Sequence, residues 1–180
     1  MDLTEHCISS EVIAAGGMLT VKRDQVRLPN GNMSYREYVM HPGAVVIVPI
    51  LPNGNVVLEK QFRYPLHQVF IELPAGKIDA GEEILITGQR ELLEETGYSA
   101  NEWITLGYQH PCIGYSNEVI YMFLARGLVS GSHQRDEDET LEVFEVSFDD
   151  CLTMIQRGQI TDGKTIIAIL LAEKYLQGST

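Results

Sequence analysis

Runs of apolar residues along the chain predict the strands of a central sheet. Residues 44–51 read AVVIVPIL, a run too short for a membrane span and bounded by Gly43 and Pro52. A continuous apolar run of this length predicts a strand that is buried on both faces. Three further β-rich runs predict additional strands at residues 56–63, 118–125 and 142–147. We therefore expect a mixed central sheet.

Residues 18–40 predict an antiparallel hairpin before that sheet. Two β-rich runs flank the sequence LPNGN at residues 28–32, and Asn-Gly between such runs is a strong hairpin signal. We expect residues 1–42 to form an N-terminal antiparallel β unit and residues 43–180 to form the core of a single domain, 1–180.

Helical spacing of apolar residues follows in three places. One helix ends at Gly97, and two more are predicted at residues 149–157 and 164–176, each followed by a glycine. Strands with helices on either side predict an α/β fold, an α/β/α sandwich.

Composition narrows the class of protein. Hydrophobic residues make up 44% of the 180 residues, which is enough for one full core, and the net charge of −12 disfavours a nonspecific nucleic-acid binder. The chain has no run of 18 apolar residues and begins without a basic segment followed by an apolar one. We expect a cytoplasmic protein that binds neither nucleic acid nor membrane.

Carboxylates crowd one face of the first helix. Glu91 and Glu95 project only ~40° apart, with Glu94 beside them and Arg90 one turn before Glu94. Like charges at this spacing repel, so a cation should offset them, and hard divalent ions such as Mg²⁺ take oxygen ligands of this kind. The alternative is an acidic helix whose glutamates face water.

The spacing of polar residues around this helix resembles the 23-residue signature of the Nudix hydrolases. The matching positions are Gly76, Glu82, Arg90, Glu91, Leu92, Glu94, Glu95 and Gly97; Tyr98 stands where the family usually has an aliphatic residue. The resemblance implies the Nudix fold and a Mg²⁺ or Mn²⁺ site. Its implied ligands are Glu91, Glu95, Glu94 and the Ala75 carbonyl, and Arg90 would hold a carboxylate in place.

Flanking residues are similar to those of the ADP-ribose and ADP-sugar pyrophosphatases within that family. QFRY at 61–64 and ELPAGK at 72–77 lie upstream, and Pro111 lies fourteen residues past Gly97. The substrate-binding residues that this resemblance suggests are Arg63, Arg36, Glu72, Glu118 and Pro111. Glu72 has a second interpretation, as an ion-pair partner of Arg63.

An acidic run at residues 136–139 supplies the remaining catalytic candidates. In the subgroup that this chain resembles, one loop glutamate is the general base and another contacts metal. Glu137 is the expected base and Glu139 the expected metal contact, with the reverse assignment left open; the alternative is a solvated loop.

The resemblance implies hydrolysis of ADP-ribose to AMP and ribose 5-phosphate by a homodimer whose N-terminal strands help to build the partner's site. Two other functions stay open. One is cleavage of GDP-mannose or another nucleotide sugar, and the other is a non-catalytic nucleotide-sugar sensor, which the complete glutamate set disfavours.

Overall fold

The structure is a computed structural model that describes residues 1–17, 19–131 and 140–178. The chain forms two compact units. The first comprises Met1–Pro42 and His110–Val119, and the second comprises Gly43–Gln109 and Ile120–Thr180. The assignment of the whole chain to a single domain stays a prediction.

The first unit is built on an antiparallel sheet of β1 (His6–Ala15), β2 (Thr20–Arg27) and β3 (Met33–Met40), in that order. The predicted hairpin is confirmed, since Arg27 pairs with Met33 and Gly31 takes a φ of 87° in the turn between them. Strand β1 was not predicted. It is exposed along its whole length, so its sequence HCISSEVIAA carries no alternation between buried and solvated positions.

Residues 110–119 join this unit through the end of β3. The Val39 N–H donates to the Tyr115 carbonyl at 2.8 Å, and the His41 N–H donates to Asn117 Oδ1 at 2.7 Å. These bonds tie a segment from the middle of the sequence to the N-terminal strands.

The second unit contains seven strands and three α-helices within its described residues. The strands are β4 (Ala44–Pro49), β5 (Asn55–Arg63), β6 (Gln68–Glu72), β7 (Ala75–Lys77), β8 (Tyr98–Gln109), β9 (Ile120–Ser130) and β10 (Leu141–Ser147). The helices are α1 (Ile84–Thr96), α2 (Phe148–Gln156) and α3 (Gly163–Gly178). The order β7-β4-β9-β8 gives a mixed sheet in which β4 and β9 are parallel, and β10-β5-β6 form an antiparallel sheet.

Alternating residues of β4 place a core on each face of the mixed sheet. Val46 and Val48 lie in a cluster with Ala168 of α3, whereas Ile47 packs with Leu92 of α1, and all five residues are fully buried. Because neighbouring strand residues point to opposite faces, α1 and α3 cover opposite sides of this sheet. The predicted α/β/α sandwich with a mixed sheet is confirmed.

Among the described residues, no helix has the length and apolar character that crossing a membrane requires. The cytoplasmic location stays a prediction.

Candidate active site

Helix α1 places two glutamates on its buried face. Side chains at positions 91 and 95 lie beside the apolar Leu92, and Glu91 and Glu95 are only 8% and 2% exposed. The helix ends at Gly97, whose φ of 73° lets its N–H bond to the Leu93 carbonyl at 2.9 Å. Their burial contradicts the alternative in which these two glutamates simply face water.

The short strand β7 lies directly against these carboxylates. The Ala75 N–H donates to Glu95 Oε2 at 2.9 Å, and a Cβ added to Gly76 would overlap the Glu91 carboxylate. Only glycine therefore fits at position 76 with Glu91 in this place. The pairing of β7 with β4 fixes this backbone against the mixed sheet.

Arg90 connects the glutamates around α1. Its Nη1 donates to Glu91 Oε1 at 2.7 Å and to Glu94 Oε2 at 3.0 Å, and its Nε donates to Glu82 Oε1 at 3.0 Å. Its Nη2 reaches the Lys77 carbonyl at 3.1 Å. One guanidinium thus orients three carboxylates and attaches the loop before α1 to the helix.

These hydrogen bonds shift the pKa values of Glu82 and Arg90. Hydrogen bonds from Arg90, and then from Thr87 and the Asp79 N–H, lower the pKa of Glu82 to about 2 against the opposing effect of burial. The same contact with Glu82 raises the pKa of Arg90. Glu82 therefore stays ionised and Arg90 stays charged at neutral pH.

The donor set at the α1 face suits a hard divalent cation. Two buried carboxylates, Glu91 and Glu95, lie beside the backbone of Ala75 and Gly76, and oxygen donors of this kind match Mg²⁺ or Mn²⁺. Within residues 1–17, 19–131 and 140–178, no three His, Cys, Asp or Glu side chains are already gathered as a metal-binding group. The predicted loop residues Glu137 and Glu139 lie outside the described residues.

A second charged cluster lies on β5, β6 and α3. Arg63 binds Glu72 in a bidentate pair, with Nε to Oε1 and Nη2 to Oε2 both at 2.7 Å. The ion-pair interpretation of Glu72 is therefore the arrangement that the structure shows. Glu72 also binds the ammonium group of Lys164, which donates to Asp162 Oδ2 at 3.0 Å as well.

Burial and pairing oppose each other at Glu72. Burial alone would raise the pKa of this carboxyl, but the Arg63 hydrogen bonds and the Lys164 charge outweigh it and hold the pKa below its ordinary value. Arg63 is 40% exposed, so its guanidinium also borders solvent. A cavity of about 280 Å³ lies here, and its lining residues are Arg63, Leu66, Phe70, Glu72, Thr161, Asp162, Gly163 and Lys164.

The sequence does not place Lys164 near Glu72, because 92 residues separate the two. A local signal existed, since a lysine in the first turn of a helix faces the positive end of the helix dipole. Two carboxylates offset this charge, Asp162 from just before the helix and Glu72 from elsewhere in the fold.

Three predicted substrate residues belong to the first unit. Arg36 donates through Nε to Glu5 Oε2 at 2.9 Å, and Glu118 lies with Oε1 3.6 Å from Nδ1 of His41. Pro111 lies in the segment that joins β3. The other described candidates, on β5 to β7 and α1, belong to the second unit.

Comparison with known proteins identifies the class. The NUDIX domain profile matches residues 40–168, and the chain belongs to the Nudix hydrolase family. Members of this family generally use divalent metal cations. Both the predicted family and the predicted enzyme class are confirmed.

Individual relatives extend the match over nearly the whole chain. An ADP-ribose pyrophosphatase of Bacillus subtilis (strain 168) is 41% identical over 97% of this chain and 94% of its own length. A methanol dehydrogenase activator of Bacillus methanolicus is 38% identical over 96% and 92%. A GDP-mannose pyrophosphatase of Yersinia enterocolitica serotype O:8 / biotype 1B (strain NCTC 13174 / 8081) is 34% identical over 73% of each chain. The crystal structure of an ADP compounds hydrolase has a TM-score of 0.90 at 22% identity, covers 99% and 98% of the two chains, and confirms the fold.

Proposed function

We propose that this protein hydrolyses the diphosphate linkage of ADP-ribose to AMP and ribose 5-phosphate with Mg²⁺ or Mn²⁺. The observation that carries the proposal is the buried pair Glu91 and Glu95, held against the backbone at Ala75 and Gly76. The full-length similarity to an ADP-ribose pyrophosphatase supports the choice of substrate.

The proposed ligands for the cation are Glu91, Glu95, Glu94, Glu139 and the Ala75 carbonyl. When bound, the ion supplies charge neutralisation for the diphosphate and lowers the pKa of water. Arg90 positions Glu91 and Glu94 through the 2.7 and 3.0 Å hydrogen bonds of its Nη1. Because these bonds fix the carboxylates before substrate arrives, little reorganisation is needed during the reaction.

Arg63 is the proposed grip on the substrate phosphates. Glu72 accepts from Nε and Nη2 of Arg63. Within the described part of the chain, no hydrogen bond involves Arg63 Nη1. Nη1 can therefore donate to an anion while Glu72 fixes the plane of the guanidinium. Arg36, Glu118 and Pro111 are proposed as further substrate contacts from the first unit.

Glu137 is the proposed general base, which would accept the proton from the attacking water. Replacement by glutamine keeps the size of the side chain and removes its basicity. Glu137→Gln should therefore lower kcat by about 100-fold or more. If Glu139→Gln shows this loss of kcat and Glu137→Gln keeps the wild-type kcat, then Glu139 is the general base and Glu137 the metal contact.

Cleavage of GDP-mannose is the second candidate, favoured by the 34% identical pyrophosphatase. A product assay separates the two. Purified protein is incubated with ADP-ribose or GDP-mannose and Mg²⁺, with and without EDTA, and the nucleotides are separated by chromatography. AMP from ADP-ribose, abolished by EDTA, supports the proposal, whereas GMP as the preferred product or turnover unaffected by EDTA contradicts it. Binding without cleavage of either compound would favour a sensor.

A further inference from the structure

The start of α3 is hydrogen-bonded to the end of β6, the strand that precedes β7 and the candidate active site. Residues 162–165 read DGKT. Asp162 caps the helix, since its Oδ2 accepts from the Thr165 N–H at 3.0 Å and from Thr165 Oγ1 at 2.7 Å. The Leu73 N–H in turn donates to Thr165 Oγ1 at 2.9 Å. This uncharged contact anchors α3 to the end of β6.

Lys164 adds a charged contact to Glu72, the residue before Leu73. Its ammonium group binds Glu72, whose side chain is only 2% exposed, and Lys164 itself is 15% exposed. A buried carboxylate cannot replace a lost partner with bulk water, so the position of Glu72 depends on the cations that bind it. Glu72 is also the only carboxylate within the described residues that hydrogen-bonds Arg63.

These contacts connect α3 to the guanidinium group of Arg63. Lys164 fixes Glu72, and Glu72 fixes two of the guanidinium nitrogens of Arg63. Arg63 has a long flexible side chain that is 40% exposed, so its orientation comes from this pairing. We propose that Lys164 is a positioning residue for substrate binding, which acts through Glu72 to orient Arg63. The inference rests on the proposed function, because it concerns the residue proposed to grip the diphosphate.

The chain offers matched variants for a test. Lys164→Met keeps much of the length and removes the charge, and Lys164→Arg restores a cation. Thr165→Val removes the hydroxyl that accepts from Leu73 and donates to Asp162, and it leaves the Lys164–Glu72 pair in place. Each variant is checked by circular dichroism melting and gel filtration.

Steady-state kinetics with ADP-ribose and Mg²⁺ give the main readout. Lys164→Met should raise KM by about tenfold with kcat changed by less than about threefold, since one charge-assisted contact is lost and the α1 face is untouched. Lys164→Arg should recover most of the affinity. Thr165→Val should lower the melting temperature without raising KM, and Lys164→Met in an Arg63→Met background should add no further increase. An unchanged KM in Lys164→Met, or an additive effect in the double variant, overturns the inference.

A second measurement decides the same question without catalysis. The Arg63 Nε–H resonance, assigned by its loss in Arg63→Lys, should shift and exchange faster with solvent in Lys164→Met than in the wild type. An unchanged resonance in folded Lys164→Met protein overturns the inference, whatever the activity of that variant. If the wild-type protein does not cleave ADP-ribose, the proposed function fails, while this resonance still reports whether Lys164 positions Arg63.

Discussion

At the scale of single residues, Gly76 shows how closely the candidate site is packed. Its missing side chain leaves the space that the Glu91 carboxylate occupies. Backbone and carboxylate can approach only because the residue has no Cβ. The glycine at this position of the sequence signature therefore has a steric cause.

Gly76→Ala should displace the Glu91 carboxylate and lower turnover of ADP-ribose by about 100-fold or more, with a loss of about 1–3 kcal/mol in the free energy of unfolding. Kinetics and urea denaturation measure both quantities. An alanine variant with wild-type turnover would show that turnover does not depend on this position of the Glu91 carboxylate.

Glu95→Gln tests the role of the buried carboxylate itself. The amide keeps the volume and can still accept from the Ala75 N–H, but it removes the negative charge. Turnover should fall by about 100-fold or more and ADP-ribose binding should stay largely intact. Kinetics and calorimetric binding check this, and unchanged turnover would refute the metal-ligand assignment.

At the scale of secondary-structure elements, helix α1 combines an internal glycine with a charged network. Gly88 lies in the helix interior, where a Cβ would meet Trp103 Cζ3 at 3.4 Å and Phe123 Cδ2 at 3.7 Å. The atoms nearest to this position belong to aromatic side chains. These distances are ordinary contacts.

Gly88→Ala should therefore stabilise the protein by up to about 1 kcal/mol, because alanine is the better helix former and its methyl group fits. Activity should stay at the wild-type level. This variant is also the matched control for Gly76→Ala, and a strong loss of stability here would mean that Trp103 or Phe123 cannot accommodate the methyl group.

The contact between Glu82 and Arg90 should make the free energy of unfolding depend on pH. Arg90 holds the pKa of Glu82 at about 2, below its ordinary value of 4.5. A lowered pKa stabilises the fold above the unfolded value, and this stabilisation declines as pH falls from about 4.5 toward about 2. The stability advantage of the wild type over Glu82→Gln should thus shrink between pH 5 and pH 3.

Urea denaturation at several pH values measures that advantage. Glu83→Gln is the matched control, since Glu83 is exposed and its side chain makes no capping hydrogen bond. An advantage that stays constant down to pH 3 would contradict the role of Arg90.

The elements with regular burial were predictable from sequence. The run at 44–51 gave β4, and the helical spacing of Leu92 with the glutamates gave α1, because burial on fixed faces leaves a periodic pattern. Strand β1 is exposed and leaves no such pattern. The Glu72–Lys164 pair joins residues far apart in sequence, so only the fold brings it together.

At the scale of the whole molecule, the exposed strand β1 bears on assembly. Ile8, Val12 and Ile13 are large apolar residues exposed on this edge strand. Unpaired strand edges with apolar side chains favour association with another chain. We propose the homodimer that the family resemblance implies.

Analytical ultracentrifugation at micromolar concentration should give about twice the 20.1 kDa of one chain. Ile8→Glu should shift the equilibrium toward the monomer, because it places a charge on the proposed contact. A wild-type monomer at this concentration would contradict the proposed homodimer.

A crystal structure with Mn²⁺ and an ADP-ribose analogue whose bridging oxygen is replaced by methylene would show whether the α1 face binds the metal ion beside the diphosphate. We expect an anomalous peak bonded to Glu91, Glu95 and the Ala75 carbonyl, next to the analogue's phosphorus atoms. Absence of an ion at this place, or binding of the analogue away from the α1 face, would contradict the proposed metal site.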